Sequence, residues 1–106
     1  MNWTVYIKGF KSYLQLERSL SANTIEAYLH DVNLFVHFLE EKKYTLSPKE
    51  IQLSHLQEFL KWVNEIGLVA GSQARIISGI KGFYKYLMMV LYADIYLMYY
   101  LSLIFL

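Results

Sequence analysis

Apolar residues recur at steps of three and four positions through four successive segments, and this feature constrains the fold most. Such spacing places side chains on one face of an α-helix. The segments cover 3–17, 22–42, 54–66 and 71–87. No stretch of any length alternates apolar and polar residues as a half-buried strand would. The sequence therefore predicts an all-α domain in which four amphipathic helices pack as a small bundle.

The segment from Gly71 to Leu87 divides into two faces that differ in chemistry. Its apolar face consists of Ile76, Ile77, Ile80, Phe83, Tyr84 and Leu87. Its other face consists of Arg75, Ser78, Gly79, Lys81, Gly82 and Lys85. Cations, a hydroxyl and glycines that let another backbone approach suit contact with a phosphate backbone. A solvated helix face with ordinary lysines accounts for the same pattern, so both interpretations stay open.

The start of the second helix is another candidate for phosphate contact. Ser21 fits the N-cap position, with Thr24 at the third helical position. Asn23 with Glu26 forms a competing capping box. Because the first turn of a helix exposes backbone N–H groups and carries a partial positive charge, it attracts anions.

The polar segment before the third helix predicts one short turn, because Ser47 fits a cap and proline follows it at the first helical position. We expect Ile51 and Leu53 to point inward after this turn. Ser54 then fits the N-cap of the third helix, with Gln57 completing a capping box.

The last part of the chain, residues 90–106, differs from everything before it. Its sequence is VLYADIYLMYYLSLIFL, in which Asp94 is the single charged residue. We treat 1–89 as one domain and call 90–106 the apolar tail, for which the composition predicts a helix. A membrane span is disfavoured because Asp94 would lie inside it. A buried or intermolecular helix and a non-native end of the reading frame remain as alternatives.

Several classes of function are excluded by composition and motifs. The formal net charge is +1, so binding to nucleic acid must depend on local placement of charge. The chain has no cysteine and its first residues lack the apolar core of a signal peptide, which fits the cytoplasm. His30 and His37 share the polar side of the second helix without further ligands nearby, so no metal site is expected. No catalytic or cofactor-binding motif occurs, so we expect neither catalytic residues nor a cofactor.

Two motifs resemble the tyrosine recombinases, or phage integrase family. LSANTIEAYLHDVNLFVHFL is similar to the family's S-x-N-T-x-x-x-Y-x-x-D-[LV]-x-x-F, carried here by Ser21, Asn23, Thr24, Tyr28, Asp31, Val32 and Phe35. GSQARIISGIKGFYKYL is similar to S-x-x-R-x-[IL]-S-x-[IL]-[KR]-x-F-[YF]-x-[YF]-L, carried by Ser72, Arg75, Ile77, Ser78, Ile80, Lys81, Phe83, Tyr84, Tyr86 and Leu87. The resemblance is strongest to the Xer-type recombinases and covers 3–89.

The resemblance implies the N-terminal core-binding domain of that family, an orthogonal SAM-like bundle whose second and fourth helices face DNA. It implies DNA contacts at Ser21, Asn23, Thr24, Tyr28, Ser72, Gln73, Arg75, Ser78, Lys81 and Lys85. Among these we assign phosphate contacts to Ser21, Thr24, Arg75 and Lys85, and base-edge contact to Lys81 or Gln73. The family's catalytic domain has no counterpart in this sequence, so the resemblance implies a chain that does not cut DNA by itself.

Three functions follow as hypotheses. The first is a DNA-binding core domain of a site-specific recombinase, with double-stranded DNA as its partner. The second is a helical interaction module, a regulator or decoy that binds recombinase protomers or a second copy of itself through 90–106. The third, a membrane-tethered protein, requires the apolar tail to span a bilayer despite Asp94.

Overall fold

A computed structural model describes residues 3–17 and 20–91 of the chain. Four α-helices follow one another: α1 (Trp3–Glu17), α2 (Ala22–Glu41), α3 (Leu53–Glu65) and α4 (Ala70–Leu91). A short 3₁₀ turn, Pro48–Glu50, lies between α2 and α3. No strand occurs in the described ranges, and the predicted all-α class is confirmed.

The helix starts separate the competing caps that the sequence offers. Ser21 is the N-cap of α2: its hydroxyl oxygen accepts a hydrogen bond from the Thr24 backbone N–H at 3.2 Å. The alternative cap at Asn23 is not used, because that residue already lies inside the helix. Gly67, with φ of 87°, follows the end of α3 in the left-handed conformation that glycine adopts readily.

The predicted start of α3 was wrong. Gln52, not Ser54, is the N-cap, and the His55 imidazole Nδ1 accepts a hydrogen bond from the Gln52 backbone N–H at 2.9 Å. Leu53 was expected to point inward but is 70% exposed. The reason is geometric: Leu53 lies roughly 100° around the helix from the midpoint of the buried pair Phe59 and Val63.

The segment between α2 and α3 is fastened to the bundle by two aromatic side chains. The Trp3 indole Nε1 donates to the Leu46 carbonyl at 2.8 Å, and the Tyr84 hydroxyl donates to the Pro48 carbonyl at 2.9 Å. Within the 3₁₀ turn, the Glu50 carboxylate accepts from the Ser47 backbone N–H at 2.8 Å, which lowers the pKa of Glu50. The turn predicted at this proline is confirmed, and Ile51 packs against the core as expected.

Aromatic rings from all four helices meet in the core, among buried aliphatic side chains. Trp3 contacts the edge of Phe35 and stacks on Phe83, with ring centroids 5.8 and 5.9 Å apart. Phe38 of α2 is completely buried against Phe59 and Trp62 of α3. Burial of each such ring contributes roughly 1.5–3 kcal/mol to the stability of the fold.

The end of α4 extends to Leu91, past the predicted end at Leu87. Residues 92–106, most of the apolar tail, lie outside the described residues, and so does the prediction that they form a helix. Among the helices of the described part, none combines the length and hydrophobicity that crossing a membrane requires.

Candidate nucleic-acid interface

Helices α2 and α4 make the most extensive helix–helix contact of the bundle, and an ion pair joins them. The Arg75 guanidinium donates from Nε to Oδ2 of Asp31 at 3.2 Å and from Nη2 to Oδ1 at 2.8 Å. Hydrogen bonding to Asp31, followed by the Coulomb attraction of its carboxylate, raises the pKa of Arg75 above its ordinary value. Arg75, predicted as a phosphate contact, therefore already holds one carboxylate.

Gly79 lies in this same α2–α4 contact. Its backbone is buried, and a β-carbon built on it would lie 3.1 Å from both the β-carbon and Oδ2 of Asp31. Gly82 lies over Phe10 of α1, whose ring would be 3.6 Å from a built β-carbon. The expectation that a foreign backbone can approach was wrong for Gly79, because α2 of the same domain occupies that space. Gly82 is only half-buried.

A groove of about 250 Å³ opens beside this contact, between α1, α2 and α4. Tyr13 and Leu14 of α1 form one wall of the groove. Four of the predicted DNA contacts line the rest of it together with Gly82: Tyr28, Ser78, Lys81 and Lys85. Both lysines are exposed. The structure thus brings together two cations, a hydroxyl and a phenol. The phenol, of Tyr28, lies more than forty positions before the other three groups in the sequence.

Arg75 belongs to the same side of α4 as this groove. It precedes Ser78 by three positions, and Ser78 precedes Gly82 and Lys85 by four and seven, so all share one helix face. We call the surface formed by Tyr28, Arg75, Ser78, Lys81 and Lys85 the α2–α4 face.

The N-terminus of α2 carries the next group of predicted contacts. The Ser21 and Thr24 hydroxyl oxygens lie 2.9 Å apart and share a hydrogen bond. Asn23 is exposed between them. Thr24 precedes Tyr28 by one helical turn, so this end of α2 continues the line of the α2–α4 face.

Ser72 and Gln73 lie in the first turns of α4. Gln73 is tied into the connection between α3 and α4: its side-chain Nε2 donates to the Leu68 carbonyl at 2.9 Å and to Asn64 Oδ1 at 3.4 Å. Ser72 is half-buried there. The structure therefore gives Gln73 a part in shaping the turn, at some distance along the helix from Lys81 and Lys85.

Asp31 is the residue of this site that the sequence reasoning missed as a partner of Arg75. Asp31 belongs to the first family motif, and the Nδ1 atom of the neighbouring His30 lies 3.8 Å from its Oδ1. The helical spacing indicates that Asp31 is close to the core, because it stands three positions after Tyr28 and four before Phe35 on the side of α2 that faces the core. A carboxylate at such a position requires a cationic or hydrogen-bonding partner.

The family match and the similar curated proteins agree on one family. The family model for the phage integrase N-terminal SAM-like domain matches residues 7–89. Tyrosine recombinase XerD of Chlorobaculum tepidum is 37% identical over 86 residues, which cover 81% of this chain and 28% of the relative. XerD of Listeria monocytogenes serotype 4b is 37% identical over 82 residues, covering 77% and 28%. XerC of Pseudomonas syringae pv. tomato is 29% identical over 82 residues, covering 77% and 27%.

The chain thus spans little more than a quarter of the length of the curated relatives it matches. No solved structure is significantly similar to it.

Proposed function

Since the chain belongs to the family of phage integrase N-terminal SAM-like domains, we propose that it binds double-stranded DNA through the α2–α4 face. The observation that carries the proposal is the groove where Tyr28, Ser78, Lys81 and Lys85 meet. Cations and hydroxyls on one surface are the groups that most often contact DNA phosphates. A net charge of only +1 makes this local grouping the relevant electrostatic feature.

Within this proposal the residues have distinct roles. Lys85, Arg75 and the hydroxyls of Ser21 and Thr24 contact phosphates, which sets the position of the domain on the duplex. Lys81, in the middle of the face, is the residue that reaches a base edge in the major groove. Asn23, Tyr28 and Ser78 add polar contacts around these. Ser72 and Gln73 contact DNA at the N-terminal end of α4.

The relatives named tyrosine recombinase suggest the process in which this binding is used. We propose that the domain serves site-specific DNA recombination by holding one side of a recombination site. In this proposal strand cleavage is left to the part of a recombinase that the match does not cover, since the match ends at residue 89 and spans 28% of a relative.

The salt dependence of DNA binding tests this function directly. Fluorescence anisotropy with a labelled duplex should give a log–log slope of roughly −3 to −4 if about four phosphates are contacted. The double variant Lys81→Ala/Lys85→Ala should weaken binding and flatten that slope by about 1, because Lys85 is the phosphate contact of the two.

A matched control is Lys49→Ala/Lys61→Ala, which removes the same charge from exposed positions outside the groove. Equal losses of affinity and slope in both double variants would show that net charge alone drives binding, and would remove the α2–α4 face from the proposal.

A second candidate function rests on the end of α4. Met88 and Val90 expose 57% and 49% of their surface, and they lead directly into the apolar tail. This arrangement suits contact with a second copy or with another recombinase protomer. Analytical ultracentrifugation of the whole chain should show self-association that Met88→Ser/Val90→Ser weakens. A monomer at all concentrations would exclude self-association.

A further inference from the structure

The ion pair between α2 and α4 is asymmetric in its exposure to solvent. The Asp31 side chain is 0% exposed, whereas the Arg75 side chain is 45% exposed. Burying a carboxylate is costly unless a cation pairs with it and donates hydrogen bonds to it. An arginine that only neutralised this charge would satisfy the fold, yet almost half of its side chain faces outward on the α2–α4 face.

The geometry of the pair leaves part of the guanidinium unused. A guanidinium has five N–H donors in a rigid plane, and Asp31 takes the Nε donor and one from Nη2. Three donors remain, two on Nη1 and one on Nη2. Because the fork is planar, a carboxylate that holds two donors also sets the direction of the other three.

The carboxylate itself has little freedom to move. It lies beneath Gly79, and a built β-carbon there would approach its Oδ2 to 3.1 Å and the Tyr28 ring to 3.5 Å. The α2 backbone holds it from the other side, since Asp31 lies in the middle of that helix. A donor group bound to such a fixed acceptor is itself fixed relative to α2 and α4.

We propose that Asp31 is a positioning residue for DNA binding: it orients the Arg75 guanidinium so that the remaining donors face a DNA phosphate. The inference rests on the proposed function and adds to it a residue that does not touch DNA. It also has an unusual electrostatic consequence. A carboxylate at a DNA-binding surface opposes phosphate by simple Coulomb repulsion, so positioning and charge predict opposite effects when Asp31 is neutralised.

Asp31→Asn provides the test, because it keeps the shape of the side chain and raises the net charge of the protein by one. Positioning predicts that the folded variant binds duplex DNA about tenfold more weakly, the loss expected for one hydrogen bond to a charged group. If Asp31 only supports the fold, the folded variant should bind as tightly as the wild type or more tightly. Circular dichroism establishes the folded fraction of the whole chain before anisotropy is measured.

Arg75→Lys gives a second readout in which residue 31 remains an aspartate. Lysine keeps the charge but lacks the planar set of guanidinium donors. The affinity of the Arg75→Lys variant for DNA should therefore fall close to that of Arg75→Ala. Wild-type affinity in Arg75→Lys would overturn the proposal, and this comparison decides the matter if Asp31→Asn does not fold. The double variant Asp31→Asn/Arg75→Ala should bind no more weakly than Arg75→Ala alone, since nothing is left to position.

These results are separable from those that test the proposed function. If Lys81→Ala/Lys85→Ala weakens binding while Asp31→Asn and Arg75→Lys do not, DNA binding stands and positioning is wrong. If the wild-type chain shows no salt-dependent binding, both fall together.

Discussion

Gly79 of α4 lies directly against Asp31 of α2, with 3.1 Å between a built glycine β-carbon and the aspartate's own β-carbon. This contact lets the two helices approach closely enough for Arg75 to reach Asp31 with two hydrogen bonds. Burial of the carboxylate and the absence of a side chain at position 79 therefore depend on each other.

Gly79→Ala should be less stable than Gly71→Ala by about 1–3 kcal/mol, because overpacking offsets the gain in helix propensity at the buried position. Gly71 is a matched control, since it lies in the same helix and nothing lies within 4 Å of a β-carbon built there. Urea denaturation of both variants measures the difference. Equal stability of the two variants would mean that the α2–α4 contact accommodates the added methyl group without destabilising the domain.

Phe38→Ala should lower the free energy of unfolding by about 3–5 kcal/mol, because the ring is completely buried and its removal leaves a cavity. Leu53→Ala is the comparison at a large apolar residue that is exposed, and it should change stability by less than about 0.5 kcal/mol. Thermal or chemical unfolding measures both. A large effect at Leu53 would place that side chain in the core.

Ser21→Ala should destabilise the domain by about 1 kcal/mol, because the Thr24 backbone N–H loses its acceptor. Asn23→Ala, two positions later and inside α2, should leave stability nearly unchanged. Both residues belong to the proposed DNA interface, so stability and DNA binding need separate measurement. The reverse order of stabilities would assign the cap to Asn23.

Alkaline pH should reduce stability through Tyr84. Burial raises the pKa of its phenol well above the ordinary value of 10.0, so the folded state favours the neutral form. This contribution to stability is fully present below pH 10 and is lost as the pH rises above the pKa that Tyr84 has in the unfolded chain. The free energy of unfolding of the Tyr84→Phe variant should therefore decline less steeply above pH 10. Urea unfolding at a series of pH values measures it.

At neutral pH the same variant should be about 0.5–1.5 kcal/mol less stable, since the hydrogen bond to the Pro48 carbonyl is gone. An identical alkaline decline in both proteins would exclude Tyr84 as the titrating group. Tyr86, whose pKa burial also raises, would then be the next tyrosine to replace.

Local patterns in the sequence were enough to predict the helices and most of their buried faces. The predicted bounds of α1 match the structure, and Ile76, Ile80, Phe83 and Leu87 of α4 are buried as expected. The Ser21 cap was also predicted. Each of these depends on residues within one or two helical turns, where spacing and side-chain chemistry act directly.

The buried residues of α2 that local patterns did not predict have a different origin. Asp31 and Phe38 stand seven positions apart on one side of α2. They are buried because α4 packs over one and α3 over the other. The wrong cap of α3 has a local cause: His55, three positions after Gln52, supplies an acceptor that the usual capping residues did not suggest.

The sequence by itself determined where helices form, because periodicity and caps are local properties, and its resemblance to a family supplied the candidate DNA contacts. Only the tertiary structure decided which of those residues meet. It placed Tyr28 beside Ser78, Lys81 and Lys85, buried Gly79 against Asp31, and gave Arg75 a carboxylate partner. These pairings join positions more than forty residues apart, and they depend on how helices cross rather than on the order of residues within any one of them.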